Sequence, residues 1–311
     1  MTIQPAVSSP ESRELQRFLR RLQRPASGHG AKPKMSLKGK FAHVEITDTG
    51  RVRDHNEDAI AGDNELGLWV LADGMGGYNA GEVASGIAVE TIMKLASEAC
   101  QREDRAQLEP GTGLMRQTIV LRDAVHRANK IINQTAKSQP QCEGMGTTLV
   151  ACLFYDNRVS VAHVGDSRLY RMRVNRFEQI TMDHSLLQEL VDRGFYSQEE
   201  AERSTNRNYV TRALGVESKV EVEVQEADAS KEDYFLLCSD GLPDMVEDED
   251  IHLTISTFNN NVDTIGNQLI KLANDNGGRD NISVILVRVV DAFPAGAGLM
   301  HKFRNLFGKS G

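Results

Sequence analysis

The stretch LWVLADGMGG at residues 68–77 places Asp73 at the end of an apolar run, directly before a group of glycines. Two other stretches share this character: FLLCSDGL at 235–242 leads into Asp240, and GGRDNISVILV at 277–287 carries Asp280 just before an apolar run. Short apolar runs bounded by turn residues are typical of buried β-strands. Glycines let the backbone turn sharply and bring a carbonyl close to a ligand. The three stretches therefore predict strands with acidic ends.

A fourth segment, RDHNED at 53–58, places Arg53 beside Glu57 and Asp58. Clustered carboxylates resist ionising together, so convergence of the four segments would require a positive charge between them. Ligands that offer only oxygen favour hard divalent ions such as Mg²⁺ or Mn²⁺. The planar donor fork of arginine suits a phosphate dianion. Together these residues predict a metal-dependent phosphoryl-transfer site.

Each acid also has a simpler interpretation when it is considered alone. Asp73 could cap a helix that begins near Glu82, and Asp240 and Asp280 could each be a turn aspartate. The RDHNED segment could be a charged surface loop. Two strand ends and a strand start, all with adjacent glycines, are harder to explain as unrelated turns.

The composition is that of a globular protein with a strongly acidic centre. The chain has 311 residues, of which 40% are hydrophobic and 26% charged. The chain has 36 basic and 44 acidic residues. Nine bases and two acids lie in 1–40, and three bases lie in 292–311, so residues 41–291 carry a net charge of −18. Such a centre disfavours nucleic acid as a partner. The four cysteines show neither metal spacing nor a disulfide framework, and no secretory signal is present, so a cytoplasmic location is expected.

Three parts of the chain differ in character. Residues 1–40 are rich in proline, glycine and basic residues, and predict a flexible basic leader. Residues 41–291 predict the folded catalytic domain, and residues 292–311 a basic amphipathic tail. Contact of the tails with an acidic partner or a membrane surface is possible, but a solvated chain end is the favoured interpretation.

Strand and helix signals alternate between the tails. Strands are predicted at 43–47, 68–71, 147–154, 159–164, 168–172, 220–224, 234–238 and 282–290, and helices at 82–99, 115–136, 184–193 and 262–276. Several strands are joined by very short turns, such as Gly165-Asp166-Ser167, which permit antiparallel pairing and exclude parallel crossovers. The pattern predicts an α+β layered fold, with a polar surface flap at 192–219.

Eight motifs in a fixed order carry a resemblance to a known family. They are RVRDHNEDA, LADGMGGYNAGEVAS, GMGTTLVACLF, AHVGDSRLYR, TMDHS, YVTRALG, LLCSDGL and GGRDNISVILV. In this order they resemble the metal-dependent, type 2C serine/threonine protein phosphatases in their bacterial form, over about residues 41–290. The resemblance implies a four-layer α-β-β-α sandwich of two antiparallel sheets flanked by helices, with a binuclear metal site at one edge.

The resemblance also implies a set of ligands. By motif position, Asp73 would bridge two Mn²⁺ or Mg²⁺ ions, and the Gly74 carbonyl would bind one of them. Asp240 and Asp280 would complete the other ion's ligands, while Glu57 and Asp58 would hold ligated waters. Asp166 matches a residue that, with Asp240, holds a third ion in bacterial relatives; an aspartate of a tight turn is an equally good interpretation.

The implied activity is hydrolysis of phosphoserine and phosphothreonine by direct attack of metal-bound hydroxide, with Arg53 holding the phosphate and no phosphoenzyme formed. Phosphoprotein substrates and a cognate serine/threonine kinase are the implied partners. Some family members place a histidine after the first Asp-Gly, where this chain has Met75. The proton donor is therefore open between a metal-bound water and His55. The alternatives are a catalytically silent adaptor that acts through its basic tails, and a phosphatase for small metabolites.

Overall fold

The computed structural model describes residues 37–77, 80–102, 108–109, 111–197, 200 and 209–294. Most of the two tails and part of the predicted flap lie outside these residues. No helix in the described part of the chain combines the length and the apolar character needed to cross a membrane.

Eleven β-strands and five α-helices are found among the described residues. In chain order they are β1 Phe41–Asp48, β2 Asp58–Asp63, β3 Leu68–Met75, α1 Ala80–Arg102, α2 Arg116–Ser138, β4 Gly146–Thr147, β5 Leu149–Tyr155, β6 Arg158–Val164, β7 Arg168–Arg173, β8 Arg176–Gln179, α3 Leu186–Asp192, β9 Glu223–Asp228, β10 Tyr234–Cys238, α4 Asp248–Thr257, α5 Val262–Asp275 and β11 Ile282–Val289.

The strands form two antiparallel sheets, as the sequence predicted. The first sheet has the order β1-β11-β10-β7-β8. The second has the order β2-β3-β5-β6-β9, with β4 paired to the end of β3. Strands that follow one another closely, such as β5 and β6, pair through a two-residue turn at Asp156-Asn157, where both residues have positive φ.

Three apolar layers hold the sheets and helices together. One lies between α1, α2 and the second sheet, one between the two sheets, and one between the first sheet and α4 and α5. Strand β3 serves two of them, because Trp69 and Leu71 face the inter-sheet layer while Leu68 and Val70 face the helices. A strand that is buried on both faces has apolar residues at every position, which explains the sequence LWVL.

Aromatic rings extend the inter-sheet layer to both ends of the domain. Phe41 packs edge-on against Trp69 at 5.3 Å between ring centroids and lies 5.1 Å from Phe293. Leu37 is buried in the same layer. Packed residues therefore continue a few positions beyond the boundaries 41 and 291 that the sequence suggested.

Several elements differ from the sequence prediction. The strand expected at 220–224 is found at Glu223–Asp228, and β2, β8 and α4 were not predicted. The turn at 165–167 does not join a hairpin, because β6 belongs to the second sheet and β7 to the first. Gly165 makes this crossing with φ +105, and a Cβ there would lie 2.7 Å from the Thr148 side chain. Only glycine fits that close approach.

Candidate active site

Pairing of β2 with β3 brings the first two predicted acids together. Asp58 lies directly opposite Asp73 in the antiparallel register, and opposite residues project their side chains to the same face of a sheet. Strand β3 continues through Asp73 to Met75, so the predicted strand end lies two residues later than expected. Two threonines hold the backbone of Asp73 in place. Thr147 Oγ1 donates to the Asp73 carbonyl at 2.8 Å, and the Asp73 amide donates to Thr148 Oγ1 at 3.2 Å.

The other two acids come from neighbouring strands of the first sheet. Strand β10 ends at Cys238 and leads into Asp240, and β11 begins at Ile282, just after Asp280. Since β10 and β11 are antiparallel, the end of one and the start of the other lie at the same edge. A Cβ on Gly241 would lie 2.0 Å from the Asn281 carbonyl oxygen, so the two turns are in direct contact.

Electrostatic coupling shows that the acids form one cluster. Burial raises the pKa of Asp73 well above its ordinary value, and the charges of Asp58, Asp240 and Asp166 raise it further. Burial also raises the pKa of Asp240 well above its ordinary value, with Asp166 and Asp280 as the largest neighbouring charges. The pKa of Asp58 is raised by burial to about 6. Asp166, carried by the crossing between the sheets, has a pKa of about 6, raised first by burial and then by the charge of Asp183.

The cluster fits hard divalent cations. Asp58 Oδ1 and Asp240 Oδ1 are buried and have no hydrogen-bond partner among the described residues, and an unpaired buried carboxylate oxygen is costly. Five converging carboxyl groups have the donor chemistry of a Mg²⁺ or Mn²⁺ site.

Arg53 reaches the cluster from an exposed loop. Its Nη2 donates to Asp280 Oδ2 at 2.6 Å, and the Arg53 side chain is 54% exposed. The hydrogen bond with Asp280 raises the pKa of the guanidinium. Asp54 and His55 are both exposed. An arginine that is accessible to solvent and touches a carboxylate of the cluster can reach an anion bound there.

The backbone of Glu57 and Gly74 closes the site from the helix side. The Glu57 carbonyl accepts from the Gly74 amide at 3.1 Å and from Ser85 Oγ at 2.6 Å. A Cβ on Gly74 would lie 2.2 Å from the Gly81 carbonyl oxygen, so residue 74 must be glycine. The Glu57 carboxylate lies beside Gly81, where a Cβ would come within 2.6 Å of its Oε1.

Three polar residues of this edge were not singled out from the sequence. Ser239 and Ser283 both donate to Asp58 Oδ2. The Asn281 side chain donates to the carbonyls of Thr49 and His55. Ser239 and Asn281 are next to predicted ligands, in Ser239-Asp240 and Asp280-Asn281, and Ser283 lies three positions after Asp280.

His163, His184 and Glu223 form a second group of possible metal ligands. The two imidazole rings are stacked with centroids 4.6 Å apart. His184 Nδ1 accepts from the Gly165 amide at 3.1 Å, so its proton is on Nε2, 3.3 Å from Glu223 Oε2. A protonated nitrogen cannot coordinate a metal. This group therefore supports the Gly165 turn through hydrogen bonds.

Two antiparallel sheets between helices, with an acidic edge and an exposed arginine, define a metal-dependent phosphoester hydrolase. The family model described as protein phosphatase 2C matches residues 50–282. Serine/threonine phosphatase stp of Listeria welshimeri is 39% identical over 252 residues, which cover 79% of this chain and 95% of that protein. The chain therefore belongs to the protein phosphatase 2C family of serine/threonine phosphatases.

Solved structures agree with this assignment. The serine/threonine phosphatase PstP/Ppp of Mycobacterium tuberculosis superimposes with a TM-score of 0.71 at 37% identity, covering 80% of this chain and 99% of that chain. The catalytic domain of PstP in complex with two manganese ions gives a TM-score of 0.69 at 38% identity, covering 81% of this chain and 99% of that one. The resemblance, the sandwich fold and the enzyme class expected from the sequence are confirmed. The roles of individual site residues stay predictions.

Proposed function

We propose that the acidic edge is the catalytic centre at which this phosphatase hydrolyses phosphoserine and phosphothreonine in proteins. The convergence of Asp58, Asp73, Asp240 and Asp280 beside Arg53 carries the proposal. Two buried carboxylate oxygens, on Asp58 and Asp240, have no partner in the described part of the chain, which supports a centre that is completed by cations.

Two Mn²⁺ or Mg²⁺ ions are the proposed cofactors. Asp73, the Gly74 carbonyl, Asp240 and Asp280 would hold the ions, since the charges of these acids act on one another. Glu57 and Asp58 would hold ligated water, and Asp166 with Asp240 would hold a third ion. When bound, the ions supply Lewis-acid activation of the attacking water and neutralise charge on the phosphoryl oxygens.

Arg53 is the proposed phosphate-binding residue. Its fork lies against Asp280, and a phosphate dianion, like a carboxylate, offers two oxygens that can accept from the fork at once. Binding of substrate would exchange part of the Asp280 contact for the phosphate. The arginine then orients the phosphoryl group for in-line attack and offsets its negative charge in the transition state.

No side-chain nucleophile is needed for this chemistry. Cys238, the cysteine nearest to Asp240 in sequence, is fully buried, and burial raises the pKa of its thiol. Such a thiol is a poor nucleophile at neutral pH. The position that carries a histidine in some relatives is Met75, so we assign protonation of the leaving hydroxyl to a water of the centre, with the exposed His55 as the alternative.

The proposed substrates are phosphoproteins, and a serine/threonine kinase that generates them is the proposed partner. The four cysteines form no disulfide with one another, which is the usual state in a reducing compartment. We therefore place the activity in the cytoplasm.

The test is phosphate release from a phosphothreonine peptide by the full-length protein with Mn²⁺, with EDTA, and after Asp240→Asn. Release with Mn²⁺ that is lost in EDTA and in the variant is the expected result. Asp233→Asn is the matched control, because Asp233 is also buried but pairs with Arg173 outside the cluster. Absence of release with any divalent ion, from protein shown to be folded, would favour the silent adaptor.

A further inference from the structure

Asp58 is held asymmetrically by the residues around it. Its Oδ2 accepts from Ser239 Oγ at 2.8 Å and from Ser283 Oγ at 2.6 Å. Its Oδ1 is buried and has no partner among the described residues. Both serines are fully buried, so two hydroxyl groups are committed to one oxygen while the other is left open.

The direction of the Ser283 hydroxyl is fixed by its neighbours. Ser283 Oγ and Thr47 Oγ1 are 2.8 Å apart, and Asn56 Nδ2 donates to Thr47 Oγ1 at 2.7 Å. An amide NH₂ can only donate, and an ionised carboxylate can only accept. Ser283 Oγ therefore has two acceptors within reach, Thr47 Oγ1 at 2.8 Å and Asp58 Oδ2 at 2.6 Å, and a single hydrogen to donate. The shorter contact to the charged oxygen is the stronger one, so the hydrogen goes to Asp58.

Ser239 is oriented in the same way. Its Oγ accepts from the Ser283 amide at 3.0 Å, which leaves the hydroxyl hydrogen free to donate. The Asn281 carbonyl, the other acceptor in reach, is 3.4 Å away, against 2.8 Å for Asp58 Oδ2. Shorter hydrogen bonds to a charged oxygen are the stronger ones. Both hydroxyls thus donate to Asp58.

We propose that Ser283 and Ser239 are positioning residues that fix the Asp58 carboxylate with Oδ1 turned to the metal centre. The inference rests on the proposed function, because it takes Asp58 as part of the centre. The Asn56 side chain accepts from the Asp58 amide at 3.1 Å. This hydrogen bond ties Asp58 to the loop that carries Arg53.

A purely structural role would leave a different pattern. Hydroxyls that only satisfy a buried carboxylate are expected on both oxygens, because a buried acceptor without a partner costs about 1–3 kcal/mol. Here both hydroxyls donate to Oδ2. Oδ1 therefore carries the cost of an unpaired buried acceptor unless a ligated water or an ion binds to it. Outer residues that orient metal ligands typically affect metal affinity by about 10-fold to 100-fold.

The test measures Mn²⁺ binding by calorimetry on the full-length, metal-stripped protein, with no turnover involved. Ser283→Ala and Ser239→Ala are each expected to weaken Mn²⁺ binding about 10-fold. Ser160→Ala is the matched control: Ser160 is equally buried, but it donates to Tyr155 in a separate network. Thermal unfolding in EDTA confirms that all variants are folded. Wild-type affinity in both site variants would overturn the proposal.

A double-mutant cycle then asks whether Ser283 acts through Asp58. In the Asp58→Asn background, Ser283→Ala is expected to change Mn²⁺ affinity less than about 2-fold, because the group that it positions is already altered. Full additivity of the two substitutions would overturn the proposal. Wild-type Mn²⁺ affinity in Asp58→Asn alone would instead remove Asp58 from the centre, so failure of the proposed site and failure of the positioning role are distinguishable.

Discussion

Arg53 Nη2 lies 2.6 Å from Asp280 Oδ2, although the two residues are 227 positions apart in the chain. The contact joins the loop before β2 to the turn before β11. It places a permanently charged donor fork at the open side of the acidic cluster, where a substrate phosphate would arrive. Arg53 is thus anchored before substrate binds.

Arg53→Lys tests whether phosphate binding needs the two-pronged geometry of the guanidinium group as well as its charge. Lysine keeps the charge but loses bidentate geometry. We expect kcat/KM for a phosphothreonine peptide to fall about 10-fold to 100-fold, since a hydrogen bond to a charged group contributes about 1.5–3 kcal/mol. Arg279→Lys is the control, because Arg279 is exposed in the neighbouring turn. Unchanged kcat/KM in Arg53→Lys would remove Arg53 from phosphate binding.

Gly74→Ala tests the close approach between the strand end and the helix. The new methyl group would lie 2.2 Å from the Gly81 carbonyl oxygen and 2.6 Å from that of Glu57. We expect destabilisation of about 1–3 kcal/mol and weaker Mn²⁺ binding, because the Gly74 carbonyl must move. Gly77→Ala is the control, since its Cβ would meet nothing within 4 Å. Equal thermal midpoints for the two variants would contradict this.

The sequence predicted the acidic ends of the strands because each signal is local. An apolar run followed by Asp-Gly, as at Asp73 and Asp240, indicates a buried strand and its turn within ten residues. The helix α5 was predicted within one residue at its end, since its apolar spacing is regular and Gly277 follows it. Local patterns of this kind survive in the folded chain because packing and propensity agree.

What could not be predicted depends on contacts between distant segments. The crossing of the chain from one sheet to the other at Gly165 looks like a hairpin turn in the sequence. Helix α4 begins with three acidic residues, so its apolar spacing is difficult to recognise in the sequence. The hydroxyls of Ser239 and Ser283 share Asp58 only because β10 and β11 are neighbours. A serine has many possible acceptors, and the sequence does not show which one folding brings near.

Asp166→Asn tests the electrostatic cost of the metal-free cluster. The Asp166 pKa of about 6 exceeds its ordinary value of 3.8. A carboxyl with a raised folded-state pKa stabilises the fold while protonated, and this contribution is lost as the pH rises from about 4 to 6. In EDTA we expect the variant to match wild type near pH 4 and to exceed its free energy of unfolding by about 2 kcal/mol at pH 7.5.

The measurement is urea unfolding at both pH values. Asp263→Asn, at the exposed start of α5, is the control. A pH-independent offset for Asp166→Asn would contradict the burial of an ionisable group at this position.

Mn²⁺ is expected to raise the thermal midpoint of the metal-stripped protein by about 5–10 °C. A single site at one-hundredfold excess over its dissociation constant contributes about 2.7 kcal/mol, and each kcal/mol shifts the midpoint by about 2–4 °C in a domain of this size. The shift should be larger at pH 7.5 than at pH 5, because protons compete with the ion at Asp58, whose pKa is about 6. Scanning calorimetry of wild type and Asp240→Asn checks this. A variant that keeps the full shift would place the ions elsewhere.

Asn281→Ala is expected to release the loop that carries Arg53. The Asn281 amide donates to the carbonyls of Thr49 and His55 at 3.0 and 2.9 Å and accepts from the Glu57 amide at 2.8 Å. At roughly 1 kcal/mol for each hydrogen bond, its loss should increase local opening of the loop by about 10-fold to 100-fold.

Limited trypsin digestion with mass spectrometry reads this opening directly, because Arg51 and Arg53 are exposed cleavage sites within the loop. Cleavage after these arginines should accelerate in Asn281→Ala while cleavage elsewhere in the domain stays as in wild type. Asn267→Ala, which removes an exposed side-chain bond within α5, should leave the loop protected. Equal protection in both variants would mean that the loop is held without the Asn281 side chain, through contacts such as the hydrogen bond from the Arg51 amide to the Gly278 carbonyl.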